Sequence, residues 1–224
     1  MPAKTFEIGG DPMIQKIAEY IAVHPQQLAG QIATHIGISL IALLAAALIG
    51  IPCGCLAAGI RKGESIIAAL FEMLRVVPSL AVLILLIPVM GTGIPPAVTA
   101  LTILAIPPIL LNTSVGFRSI PDFMIESARG IGMTERELFR RVKVPAALPM
   151  ILAGLRTALV EVVASTTLAA KIGAGGLGEI IFTGLGLYRM DLLVLGGGLV
   201  AILSLATGWV FDFMTGKLLK YKYV

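Results

Sequence analysis

Five long apolar segments constrain the fold of this chain more than any other feature of its sequence. The first, residues 28–60, contains no aspartate, glutamate, lysine or arginine. A helix rises about 1.5 Å per residue, so roughly 20 apolar residues span the hydrocarbon core of a bilayer. Four further segments have comparable length and apolar character: 65–90, 97–117, 148–170 and 192–216. We expect each segment to cross a membrane once.

Composition supports a membrane protein built from helices. Of the 224 residues, 57% are hydrophobic and 13% are charged, which is far more apolar than a typical soluble domain. No alternating pattern suggests the strands of a barrel, and helices satisfy their own backbone hydrogen bonds in lipid. The sequence therefore predicts an all-α, polytopic protein with about five transmembrane helices. Residues 1–27 are expected to form an N-terminal segment outside, 28–216 the transmembrane domain and 217–224 a short cytoplasmic tail.

The distribution of positive charge predicts the orientation of the chain. If the N-terminus lies outside, five crossings place eleven of the seventeen lysines and arginines on one side. Six of these lie in residues 118–145, the charged island, which separates two apolar segments. Cytoplasmic loops carry the excess of lysine and arginine, so we expect the charged island and the C-terminus to be cytoplasmic.

The first half of the charged island predicts a short helix. Ser119 followed by Asp122 forms a capping pattern, and Pro121 suits the first turn of a helix. Gly130 and Gly132 provide a natural end, because glycine adopts the left-handed conformation that closes many helices.

The second half of the charged island predicts another short helix. Thr134 and Glu137 have the spacing of a capping box. Pro145 is expected to stop this helix, because proline has no backbone N–H. The two helices would then meet at a glycine corner beneath the membrane. On these caps alone, a solvated loop with no partner is an equally good interpretation.

The spacing of small residues within the charged island resembles a known signature. The matching residues are Glu126-Ser127-Ala128, Gly132 and Val142-Lys143-Val144-Pro145. This pattern resembles permease subunits of ATP-binding-cassette importers, whose signature begins Glu-Ala-Ala, has glycine four residues later and ends Ile-x-Leu-Pro. A serine replaces the middle alanine, and valines replace the larger aliphatic residues. The resemblance implies a type I importer permease whose loop 118–147 contains a coupling helix.

The resemblance also implies partners for the chain in a bacterial plasma membrane. They are two separate ATPase subunits, a second permease that is either a copy or a paralogue, and an external substrate-binding protein. ATP and magnesium would bind to the ATPase subunits, so no cofactor is expected on this chain. Small side chains at Ser127 and Ala128 would let an ATPase subunit approach closely. The residues implied at this contact are Glu126, Ser127, Ala128, Arg129, Gly130, Gly132 and Pro145.

Three further stretches resemble permeases for quaternary amines such as glycine betaine, choline and carnitine. They are residues 75–81, 108–113 and 171–179. Permeases of methionine importers share the coupling signature and a similar glycine run, so they are an alternative. An ATPase-independent channel or secondary carrier is an alternative of a different class. No inverted repeat is visible, which disfavours a carrier built from paired halves.

Polar residues within the apolar segments are candidates for structural or pathway roles. The charged ones are Glu72, Arg75, Arg156 and Glu161. Because charge inside a membrane is costly, we expect these four to pair structurally rather than to bind substrate. Candidates for the pathway or a gate are Pro78, Ser79, Asn112, Thr166, Gly175 and Gly176. Asn112 and Thr166 would serve equally well to bond one helix to another.

Other functions find little support in the sequence. Residues 173–178 match the dinucleotide fingerprint G-x-G-x-x-G, but that fingerprint requires a preceding strand, and here a membrane span precedes it. A tight loop with positive φ at glycine is expected instead. His24 and His35 are isolated, and no catalytic or metal-binding motif is present. The net charge of +4 follows membrane orientation, so no nucleic-acid partner is expected.

Overall fold

The computed structural model describes residues 12–59 and 79–218. Every regular element in these ranges is helical, as the sequence predicts. The α-helices are α1 (Pro12–Val23), α2 (Pro25–Ala58), α3 (Ser79–Met90), α4 (Ile94–Arg118), α5 (Asp122–Gly130), α6 (Glu135–Glu137), α7 (Val144–Ala169), α8 (Gly178–Gly186) and α9 (Met190–Leu218). A π-helical segment (Leu138–Lys143) precedes α7, and a 3-10 turn (Ala170–Ile172) follows it.

Helix α4 lies between α2 and α7 and contacts both along much of its length. Glycines permit this close packing. A β-carbon on Gly54 of α2 would lie 2.6 Å from the carbonyl oxygen of Leu110 in α4. A β-carbon on Gly154 of α7 would lie 2.8 Å from the β-carbon of Asn112. Membrane helices associate largely through such close contacts of small residues, so this three-helix core suits a lipid environment.

The bundle has two ends. The island end lies beside the charged island, and the glycine end lies beside the glycine run 173–178. At the island end, Arg118 donates a hydrogen bond to the carbonyl of Ala57 at 2.8 Å, so α2 and α4 end together. At the glycine end, the N–H of Gly93 donates to the carbonyl of Ile172 at 2.7 Å, which brings the start of α4 to the glycine run 173–178. Helices α2 and α4 therefore run in the same direction.

Four helical stretches of the described ranges are long and apolar enough to cross a membrane: Pro25–Ala58, Ile94–Arg118, Glu135–Ile172 and Met190–Lys217. They coincide with four of the five predicted segments. The remaining segment, 65–90, is described only from Ser79 onward, where apolar α3 begins. Glu72, Arg75 and Pro78 lie outside the described residues. The predicted N-terminal segment contains α1, which packs against α2 and α9.

Candidate functional site

Helix α5 has one buried side and one exposed stripe. Ala128 is only 5% exposed, so the chain itself covers this residue. Phe123, Ser127 and Ile131 follow one another at intervals of four and therefore share another side. Phe123 is 67% exposed and Ile131 is 75% exposed, with the small Ser127 between them. We name these three residues the exposed stripe. The role of Ala128 at a contact with a partner stays a prediction. Ser127, Glu126, Arg129 and Gly130 are exposed.

A Schellman motif ends α5 at Gly132. The N–H of Met133 donates to the carbonyl of Ala128 at 3.1 Å, and the N–H of Gly132 donates to the carbonyl of Arg129 at 2.9 Å. Gly132 has φ of +83°, which confirms the predicted glycine corner. A β-carbon on Gly132 would meet no atom within 4 Å, so the backbone conformation, rather than crowding, favours glycine here.

Local side-chain contacts fix the second half of the corner. The Thr134 hydroxyl accepts a hydrogen bond from the N–H of Glu137, and the Glu137 carboxylate accepts one from the N–H of Thr134. This reciprocal pair is the predicted capping box. Arg129 of α5 also contacts Glu135 of α6, with 2.8 Å between Nη2 and Oε1. The corner is therefore closed by bonds between residues close in sequence.

The second helix does not stop at Pro145, which corrects the expectation from the sequence. It runs without a break from Glu135 to Ile172 and so becomes a membrane-spanning helix. The π-helical turn ends at Lys143, two residues before Pro145, which is the second residue of α7. This wider turn accommodates the proline ring. Because proline has no backbone N–H, the altered hydrogen-bond pattern leaves no donor of this residue unpaired. Pro145 itself is half-buried beside Ile120 and Met124.

The predicted cap of the first helix is also wrong. Ser119 is the last residue associated with α4, and its hydroxyl donates to the carbonyl of Gly116 at 3.0 Å. Pro121 occupies the N-cap position of α5 instead, and no side-chain hydrogen bond caps this helix. The serine is unavailable because α4 extends as far as Arg118.

The charged island is attached to the bundle on both sides. Arg118 bonds α4 to the end of α2, as described above. The rings of Phe117 and Phe139 stack with centroids 5.7 Å apart, which joins α4 to the π-helical segment. Leu138, at the start of that segment, is completely buried. Displacement of the exposed stripe would therefore be transmitted to both α4 and α7.

A buried polar network holds the glycine end. His35 of α2 donates from Nε2 to the carbonyl of Val163 at 2.9 Å. Its Nδ1 accepts a hydrogen bond from the N–H of Leu177 at 3.3 Å. Gly175 and Gly176 both have φ of +84°, and a β-carbon on Gly176 would lie 3.2 Å from His35 Nδ1. The loop therefore has the positive φ values that the sequence predicts, and it packs directly on His35.

Sequence reasoning missed His35 as a structural residue and treated it as isolated. Its position within an uncharged apolar segment was the available signal, because a buried polar group has to find hydrogen-bond partners. Gln31, one turn earlier, was missed in the same way. Its Nε2 donates to Glu179 Oε2 at 3.0 Å, a contact between residues 148 apart in sequence. No pattern within one segment predicts a pairing at that separation.

The structure places the polar candidates of the spans in different surroundings. Arg156 of α7 pairs with Asp212 of α9, with 2.6 Å between Nε and Oδ1. Glu161 is half-buried, and its Oε2 has no hydrogen-bond partner within residues 12–59 and 79–218. Thr166 is buried, and its hydroxyl lies 2.9 Å from that of Ser39 in α2. Asn112 Nδ2 donates to the carbonyl of Pro108 in its own helix at 2.8 Å. Arg156 and Thr166 thus make contacts between helices.

One further candidate is less informative. Ser79 is the first residue of α3 and is half-buried, and its role as a pathway residue stays a prediction. The described part of the chain contains no group of three or more His, Cys, Asp or Glu residues suited to a metal ion.

Comparison with known proteins gives concordant matches. Residues 50–220 match the family described as "Binding-protein-dependent transport system inner membrane component". The chain is 37% identical over 202 residues to the choline transport system permease protein OpuBB of Bacillus subtilis (strain 168), which covers 90% of this chain and 93% of that protein. It is 44% identical over 185 residues to the carnitine transport permease protein OpuCB of Listeria monocytogenes, covering 82% and 83% respectively. The fold is similar to an inward-facing structure of the MetNI methionine ABC transporter, with a TM-score of 0.73, 22% identity and coverage of 88% and 96%.

Proposed function

Because the chain belongs to the family of binding-protein-dependent transport system inner membrane components, we propose that the charged island couples it to ATPase subunits. The chain is the permease subunit of an ATP-driven importer. The observation that carries the proposal is the exposed stripe, which presents Phe123 and Ile131 to the surroundings on both sides of a small serine. Exposed large apolar residues mark contact sites, and the serine leaves room for a side chain of the partner.

The attachment of the charged island explains how such a contact would drive transport. The charged island is joined to α4 through the stacking of Phe117 on Phe139 and to α7 through the continuous helix Glu135–Ile172. Arg118, the last residue of α4, in turn bonds to the end of α2. ATP-driven closure of two ATPase subunits would therefore displace two central helices together. A shift of the permease from mostly inward-facing to mostly outward-facing requires about 5 kcal/mol of differential contact energy. ATP and magnesium would act on the ATPase subunits, and this chain would only transmit the movement.

The remaining partners follow from the same proposal. The charged island and the C-terminus would be cytoplasmic, and the glycine end would face the external substrate-binding protein. A second permease, either a copy or a paralogue, would complete the pathway. The substrate would be a quaternary amine such as choline, carnitine or glycine betaine, because the relatives with the highest identity described above carry the names of choline and carnitine permeases.

Substitution at Gly132 tests the coupling proposal. Gly132→Arg places a long side chain in the open space beside the corner, where it would obstruct an ATPase subunit. Gly132→Asn is the matched control, because asparagine tolerates positive φ and is short. We expect the arginine variant to abolish ATP-driven uptake of glycine betaine in proteoliposomes, while the asparagine variant retains it. Both variants should insert, and the positive φ should cost the arginine variant about 1–2 kcal/mol of stability and the asparagine variant less. Normal uptake by the arginine variant would refute the proposed docking surface.

A channel or secondary carrier is distinguished by a second measurement. If the chain were a channel or secondary carrier, the permease reconstituted without any ATPase would still move choline down its gradient. Gly132→Arg would then leave that flux unchanged. We expect no flux from the permease alone.

The substrate class is tested on the external binding protein that serves this permease. Its thermal unfolding would be measured with choline, carnitine, glycine betaine and methionine. Stabilisation by the quaternary amines supports the proposed substrate. Stabilisation by methionine alone would instead indicate the permease of a methionine importer. The coupling proposal would then still stand.

A further inference from the structure

A cavity of about 490 Å³ opens at the glycine end, away from the charged island. It lies between α1, the start of α2 and α8. Its lining combines two aromatic rings, Tyr20 and Phe182, with the side chains of Gln31 and Glu179. The coupling proposal assigns no role to this cavity.

The aromatic ring of Phe182 already carries a cation. The Lys171 ammonium lies 4.4 Å from the centroid of that ring, within the range of a cation–π contact. Lys171 is exposed and Phe182 is half-buried, so the lysine can leave the ring without disturbing the core. Phe182 is therefore a ring that binds ammonium and whose present occupant is replaceable.

The polar groups of the cavity are held in place from α2. Gln31 is only 7% exposed, and its Nε2 fixes the Glu179 carboxylate at 3.0 Å. The Gln31 Oε1 is buried and has no hydrogen-bond partner in the two described ranges. A trimethylammonium group has no N–H, and its positive charge is spread over methyl groups that make favourable contacts with oxygen atoms and aromatic faces. An immobilised acceptor and a carboxylate beside an aromatic ring suit such a group.

We propose that this cavity is a substrate site of the permease, in which the trimethylammonium group of a zwitterionic quaternary amine replaces Lys171 on Phe182 while Lys171 pairs with the carboxylate of the substrate. This inference rests on the proposed substrate class. Glu179, fixed by Gln31, supplies the charge that balances the ammonium. Lys171 is a specificity-determining residue, because it exchanges one favourable contact for another only when the substrate has a carboxylate.

The exchange predicts a preference among quaternary amines. Glycine betaine and carnitine each provide both a trimethylammonium group and a carboxylate, so Lys171 keeps a partner. Choline provides only the cation and would leave Lys171 without its ring contact. The cavity should therefore bind glycine betaine more tightly than choline.

Binding is measured on the permease–ATPase assembly without the external binding protein. Trp209→Phe removes the single tryptophan of the chain, and Phe182→Trp then introduces a fluorescent ring that still binds cations. The assembly is titrated with glycine betaine, with choline and with the neutral isostere of choline in which carbon replaces nitrogen. We expect saturable fluorescence changes with the two amines, tighter binding of glycine betaine, and none with the isostere.

Substitution of Lys171 in this reporter tests the exchange. Lys171→Met should weaken glycine betaine binding about tenfold through loss of one charge-assisted contact, and it should leave choline binding unchanged or tighter. Lys171→Arg is the matched control and should preserve the preference. Equal effects of Lys171→Met on both amines, or the absence of a saturable signal, would overturn the proposal. The uptake test at Gly132 remains independent, so failure here would not be mistaken for failure of the coupling proposal.

Discussion

The two ends of the bundle are stabilised by different kinds of contact. At the island end, the capping box of Thr134 and Glu137 and the ion pair of Arg129 with Glu135 join residues at most six apart and are exposed. At the glycine end, His35 bonds to Val163 across 128 residues and is completely buried. The charged island is thus organised mainly by its own sequence, whereas the glycine end depends on the assembled bundle.

This difference agrees with the roles proposed for the two ends. A surface that docks a partner has to present side chains outward, and local caps shape it without covering them. The glycine end joins α2, α7 and the loop before α8 through buried hydrogen bonds, which are costly to break. Loss of a contact should therefore reduce stability strongly at the glycine end and weakly at the island end.

The largest effect is expected from His35→Ala. This change leaves the N–H of Leu177 without its partner, removes the contact of α2 with the carbonyl of Val163 and creates a cavity. One unsatisfied buried donor costs about 1–3 kcal/mol and the cavity adds to that loss, so the free energy of unfolding should fall by about 3 kcal/mol. Thermal unfolding of the purified permease in detergent measures the loss.

His24→Ala is the matched control for that measurement. His24 is exposed at the same end of the bundle and lies just before α2. Its removal should change stability by less than about 0.5 kcal/mol, as expected for a surface position. If both variants unfold alike, the glycine end is not held by His35 and the contrast between the two ends fails.

An intermediate effect is expected from the ion pair of Arg156 and Asp212, whose members are both about half exposed. Its two members lie 56 residues apart in the sequence. A double-mutant cycle with Arg156→Met, Asp212→Leu and the combined variant should give a coupling energy of about 0.5–3 kcal/mol. Additive single effects would mean that the pair does not stabilise the bundle. A combined variant that unfolds normally but transports nothing would assign the charges to the pathway instead.

The features that sequence reasoning predicted correctly are those with local causes. Four of the apolar segments became long helices because burial in lipid requires an internally bonded backbone. The capping box at Thr134 and the corner at Gly132 were predictable because each depends on a few neighbouring residues. The positive φ values in the glycine run were predictable for the same reason, because they depend on the glycines themselves.

The errors arose where neighbouring elements competed for the same residues. Ser119 has a capping pattern, but α4 extends to Arg118 and its last turn takes the serine hydroxyl. Pro145 usually stops a helix, but a π-helical turn before it lets the helix continue. The partners of His35 and Gln31 required the folded bundle.

The smallest effect on stability, with a clear effect on function, is expected from Thr134→Ala. This change removes the hydroxyl that caps α6, and loss of such a cap costs about 1 kcal/mol. Because the capping box lies on the surface, the loss should remain local: hydrogen exchange of residues 135–139 should accelerate while the thermal midpoint of the bundle hardly changes. Stimulation of the ATPase by loaded binding protein should decrease, since the corner would transmit movement less rigidly to α7. Thr134→Ser keeps the hydroxyl and should behave like the wild type. If Thr134→Ala lowered the thermal midpoint as much as His35→Ala, the island end would be integrated into the bundle, and the distinction between locally and globally stabilised ends would have to be abandoned.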